Sequence, residues 1–127
     1  MNRSTKAWKR LPLRERKAIA AHHDAVRQMP CVVTGMRDVT LHHCHSGSMS
    51  DAGINRGVGQ RPSDWLVIPI LLDLHVGPDG IDGNRGVISW EKAYGAQFEH
   101  LKTVSRAVGY NVFHAAGYDI DVEGLPA

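Results

Sequence analysis

Apolar positions along the chain repeat with two periods, and the changes of period divide it into elements. Leu13, Ile19, His23, Val26 and Met29 recur at three- to six-residue steps, which predicts one face of a helix. Pro12 suits its first turn and Pro30 stops it. Met1–Leu11, with little periodicity, is expected to be a flexible arm. Cys31–Thr34 and Val39–His43 are β-prone runs around Gly35 and Arg37-Asp38, which predicts a β-hairpin. The Gly- and Ser-rich stretch from Ser46 to Ser63 reads as a long loop of the functional or mobile kind. Trp65–Ile70 reads as a buried strand with Pro69 at its end, and Leu71–Val76 as a short helix closed by Gly77-Pro78. After a glycine-rich loop over Asp79–Gly86, Ser89 is the expected N-cap of the longest helix. Tyr94, Phe98, Leu101, Val104 and Val108 form its stripe, Gly109 its stop, and Gly95 lies inside it. Val112–Ala116 adds a short turn, and Tyr118–Ala127 reads as an acidic tail.

These elements predict a small α+β domain. At 127 residues the chain is one domain by size, with 43% apolar residues for a modest core. No apolar run approaches the ~20 residues of a membrane span, and the basic N-terminus lacks the apolar segment of a signal peptide. Two cysteines, Cys31 and Cys44, make no disulfide framework, so a reduced cytoplasmic setting is expected. The net charge of +2 conceals an asymmetry: residues 1–28 carry eight bases against two acids, the remainder seven against eleven. A basic arm on a slightly acidic body points to a polyanionic partner. Lys6, Lys9, Arg10 and Arg14 in the arm and helix, with Arg56 and Arg61 in the long loop, are the candidate phosphate contacts. The organisation is thus a basic arm and helix (1–29), a central domain (30–117) and a tail (118–127).

Eight histidines are many for this length. Neighbouring side chains in a strand point to opposite faces, so His42 and His43 cannot both address one metal from a regular strand. One can bind a cation while the other reaches a substrate, a division that suits phosphodiester hydrolysis. A divalent ion stabilises charge on the phosphate and the leaving oxygen, and a separate neutral imidazole takes the proton of the attacking water. His75, after the apolar strand, is the second candidate ligand. Asp64, before that strand, either coordinates too or holds an imidazole in its working tautomer. His22-His23 read as packing or solvated residues, Cys44 as a buried thiol and His45 as a surface imidazole.

The ordered set Leu41-His42-His43, Gly57-Val58-Gly59-Gln60, Asp64-Trp65-Leu66-Val67-Ile68-Pro69, Leu74-His75, Gly80-Ile81-Asp82 and Ser89-Trp90-Glu91 with Tyr94-Gly95 resembles the HNH nucleases of the ββα-metal superfamily. It is most similar to the phage recombination-enhancement, RecA-dependent nucleases, over about Cys31 to Gly117. The resemblance implies His42 and His75 as metal ligands and His43 as general base. The middle Asn of many relatives falls at Leu66 here, so Asp64, two residues earlier on the same strand face, is given that catalytic role. Two Cys-x-x-Cys pairs that bind a structural zinc in many HNH proteins correspond to Cys31, Thr34, Leu71 and Leu74. An apolar plug is expected in its place, each leucine contributing about 1.5–3 kcal/mol by burial.

The expected function is a metal-dependent DNA endonuclease, with one divalent ion (Zn or Mg), DNA as substrate, and a role in phage recombination or repair, in the bacterial cytoplasm on DNA bound by the host RecA filament. The alternatives are a non-catalytic nucleic-acid-binding module with a structural metal, and a metal-free accessory protein acting through its arm.

Overall fold

A computed structural model describes residues 11–55 and 62–125. Lys6, Lys9, Arg10, Arg56 and Arg61 lie outside them; Arg14 is exposed on the first helix. The described residues form a small α+β unit: α1 (Leu13–Arg27), β1 (Thr40–His43), α2 (Ser48–Asp51), β2 (Val67–Ile70), α3 (Leu72–His75), α4 (Val87–Tyr94), α5 (Gln97–Val108) and α6 (Val112–Ala115).

The sheet is one antiparallel pair, β1 with β2, in the register His42 opposite Ile68 and His43 opposite Val67. Every residue of β2 is buried, because α1 and α5 both pack against it. A strand covered on both sides reads as a continuous apolar run, which Val67-Ile68-Pro69-Ile70 is. The core around it includes Val26, Met49, Leu66, Trp90, Leu101, Val104 and Phe113.

The expected hairpin does not form. Cys31–Thr34 is a turn, and β1 pairs with β2 across the long loop instead. Local hydrogen bonds win: Cys31 N–H donates to the Met36 carbonyl at 2.8 Å and Gly35 N–H to the Cys31 carbonyl at 2.9 Å. One link to the sheet survives, Val32 N–H to the Pro69 carbonyl at 3.0 Å. Pro69 lies within β2 rather than at its end. Cys31 and Leu74 are buried in the core and Leu71 packs against it, so the corner expected to be apolar is largely so, with Thr34 exposed.

The long helix expected from Ser89 to Val108 is two helices. Gly86, not Ser89, occupies the N-cap of α4. Gly95 (φ 100°, ψ 158°) breaks the run, and Ala96 in extended conformation starts α5 at Gln97. The long loop contains α2, whose Met49 is buried. The acidic tail is partly folded down: Val122 is buried, and the Asn111 side chain donates to the Ile120 carbonyl at 2.7 Å.

Candidate active site

Alternation along β1 sends its two histidines to different clusters. His42 is fully buried. Its Nδ1 lies 3.2 Å from Asp82 Oδ2 and its Nε2 2.9 Å from Gln97 Oε1. Asp82 also receives His45 Nε2 at 2.8 Å and His75 Nε2 at 3.3 Å. The rings of His42 and His75 are 5.2 Å apart, so the two expected ligands do meet. Their meeting point is Asp82.

The backbone places Asp82. Ile81 N–H donates to the Leu74 carbonyl and Asp82 N–H to the His75 carbonyl at 2.9 Å, laying the loop against α3. Gly80 and Gly83 permit the contact: a Cβ at either would come within 2.7 Å or 2.2 Å of the backbone at His75 and Gly77 respectively.

Hydrogen-bond polarity constrains where the protons of this cluster lie. Thr40 Oγ1 donates to the Ile70 carbonyl at 3.0 Å, so toward His75 Nδ1, 3.1 Å away, it acts as acceptor. The proton of neutral His75 is then on Nδ1, and the Nε2 lone pair faces the Asp82 carboxylate. His42 poses the same problem, since both ring nitrogens face oxygens able to accept. A neutral imidazole has one proton, so one of those contacts is between two acceptors. Burial lowers the His42 pKa, opposed by the hydrogen bonds and charge of Asp82 and by Gln97. Burial would raise the Asp82 pKa, but its contacts with His42, His45 and His75 hold it well below the usual carboxylate range. A neutral ring against an ionised carboxylate leaves nitrogen and oxygen lone pairs that a cation could occupy. The spacing agrees: ligand atoms around a tetrahedral ion with bonds of about 2.0–2.2 Å sit roughly 3.3 Å apart. His42, His45 and Asp82 bring ligand atoms within 4.8 Å of one another and could hold a metal ion.

His43 enters the second cluster. Its Nε2 donates to Asp64 Oδ1 at 3.0 Å, and Nδ1 keeps the lone pair. His23, on α1, donates Nε2–H to the Asp64 carbonyl at 2.7 Å, with its ring edge-on to His43 at 5.9 Å. His43, Asp64 and His23 also lie within metal-ligating reach of one another. Each of the two hydrogen bonds named here pairs a donor with an acceptor. The side chain of His43 is 36% exposed and that of Asp64 only 9%, the arrangement of an accessible base held by a sheltered carboxylate. Next door, His22 donates Nε2–H to the Trp65 carbonyl at 3.0 Å and accepts from the Tyr110 hydroxyl at 2.5 Å. Its pKa is lowered to about 4 by burial and by His23, against the Trp65 hydrogen bond.

The sequence reading brought together His42 with His75 and left Asp64 either to coordinate or to hold an imidazole, which in the structure is His43. It gave Asp82 and Gln97 no role and took His45 for a surface imidazole, whereas His45 is a member of the Asp82 cluster. An aspartate flanked by residues of a Gly-Ile-Asp-Gly turn, seven positions after His75, was the available signal. His22 and His23 are buried, as packing residues would be. Cys44 is buried as expected, and burial, with the nearby Glu91 and Asp82 charges, raises its thiol pKa. No family model, curated protein or solved structure matches the chain.

Proposed function

We propose that the chain is a metal-dependent DNA endonuclease of the HNH type, built on a ββα-metal unit formed by β1, β2 and α3. The observation that carries the reading is the convergence of His42, His45 and His75 on the two oxygens of one carboxylate, where His42 has accepting oxygens at both ring nitrogens. His42, His45 and Asp82, whose ligand atoms lie together, would hold the ion, and the family resemblance adds His75, whose Nε2 is 3.3 Å from Asp82. A divalent ion there supplies charge neutralisation for a phosphate and for its leaving oxygen.

The protein's own groups carry the proton. Asp64 accepts Nε2–H and so fixes the His43 tautomer with Nδ1 as the basic nitrogen. His43 takes a proton from water at Nδ1, the water oxygen bonds to phosphorus, and the bond from phosphorus to the leaving oxygen breaks. His23 steadies the backbone of Asp64 from α1. The strongly basic segment that precedes and opens α1 supplies phosphate attraction without reading sequence. The likeness to the recombination-enhancement nucleases makes RecA-coated DNA in phage recombination or repair the substrate of choice.

Full burial of His42 favours a second reading, a nucleic-acid-binding module in which the metal is structural. A plasmid-nicking assay with zinc, magnesium or manganese, with and without RecA filaments, separates the two. Metal-dependent nicking supports the nuclease. Stoichiometric metal and DNA binding without nicking under any of these conditions supports the module.

A further inference from the structure

Gln97 opens α5, immediately after the Gly95-Ala96 break, and is fully buried. The orientation of a carboxamide is ordinarily ambiguous, but here two backbone groups fix it. His45 N–H can only donate, and it meets Gln97 Oε1 at 3.0 Å. The His45 carbonyl can only accept, and it meets Gln97 Nε2 at 2.8 Å. Glu91 adds to the same polarity: its Oε2 accepts from Gln97 N–H at 2.7 Å and faces Gln97 Nε2 at 3.5 Å. Oε1 is therefore an acceptor where it faces His42 Nε2 at 2.9 Å, a closer contact than Nδ1 makes with Asp82 at 3.2 Å, and the shorter contact favours the proton on Nε2.

We propose that Gln97 is a positioning residue that sets the tautomer of His42, so that Nδ1 faces Asp82 as the ligand nitrogen before any metal arrives. The inference rests on the metal-centre reading for its consequence, though not for the tautomer itself. Without Gln97, the His42 proton is free to move to Nδ1, where Asp82 accepts it and the ligand position is blocked. The amide also grips both backbone groups of His45, so one side chain organises two of the three imidazoles around Asp82.

The first test uses the metal-free wild-type protein, labelled with ¹⁵N. Long-range proton–nitrogen correlation of the His42 ring should show the Nε2–H tautomer; an Nδ1–H ring would overturn the assignment. The second uses Gln97→Met, which keeps the length and apolar stem and removes the acceptor. His42 should then shift toward Nδ1–H, and zinc, added alone in a calorimetric or competition titration, should bind about 10–100-fold more weakly. A Gln97→Met protein with the wild-type tautomer and unchanged zinc affinity would refute the proposal. Should the variant not fold, the wild-type tautomer still decides. A wild-type protein with the Nε2–H tautomer but no zinc, cobalt or manganese binding would instead defeat the metal centre and leave the role of Gln97 in setting the tautomer intact.

Discussion

Gly95→Ala distinguishes one continuous helix from two by the sign of its effect. In an uninterrupted helix over residues 87–108, alanine would replace an interior glycine and stabilise the protein by about 0.8–1 kcal/mol. In the structure, Gly95 has φ 100° and ψ 158°, a region essentially reserved for glycine. Forcing a Cβ there costs about 1–3 kcal/mol. Space is tight as well: the Cβ would lie 3.1 Å from His100 Nε2, whose N–H donates to the Tyr94 carbonyl at 2.8 Å. For a chain of this size roughly 4 °C of melting temperature corresponds to 1 kcal/mol. The expected result is thus a fall of about 4–12 °C by calorimetry or circular dichroism. The variant should also lose zinc affinity, since the elbow at Gly95 is what delivers Gln97 to His42. A rise in melting temperature with unchanged metal binding would refute the broken-helix geometry and the placement of Gln97 together.

Three further outcomes follow from the same geometry. His43→Ala should lower nicking by about 10²–10⁴ while metal content and DNA affinity hold, because a general base acts only in the reaction; full activity would remove His43 from that role. His22, with its folded pKa lowered to about 4 from 6.5, favours the folded state above about pH 6.5 and loses that contribution as pH falls toward 4. The loss is at most about 3 kcal/mol, less what solvent screening removes, and denaturation midpoints at pH 7.5 and 4.5 should differ more for the wild type than for His22→Asn; equal pH dependence would contradict it. Deleting Met1–Leu11 removes Arg3, Lys6, Lys9 and Arg10. The log–log salt slope of DNA binding should shrink by up to about 3.6, and an unchanged slope and affinity would mean that the arm does not touch phosphate.

Much of this arrangement was legible where the determinant is local. Pro12 and Pro30 bracket α1, the apolar run contains β2, and Gly77 follows α3 closely. The alternation rule separated His42 from His43, and the structure gives each its own carboxylate, Asp82 and Asp64. What escaped depends on distant partners. Cys31–Thr34 has strand-forming residues, yet β1 prefers β2, a choice made by packing between α1 and α5 rather than by propensity. Gly95 looked like a tolerated interior glycine because the apolar stripe continues in phase on both sides of it. Gln97 sits among the polar positions of that stripe, and it turns inward only because the break resets the start of α5. Asp82 lies in a loop whose position is dictated by hydrogen bonds to Leu74 and His75, which no periodicity records.

The central claim is a cation held by His42, His45 and Asp82, with His75 at its edge. A crystal grown with zinc and measured across the zinc absorption edge tests it most directly. One strong anomalous peak is expected, bonded to Asp82, His42 Nδ1 and His45 Nε2 at distances near 2.0–2.2 Å. A well-ordered crystal with no peak there, or with zinc only between His43, His23 and Asp64, would contradict it.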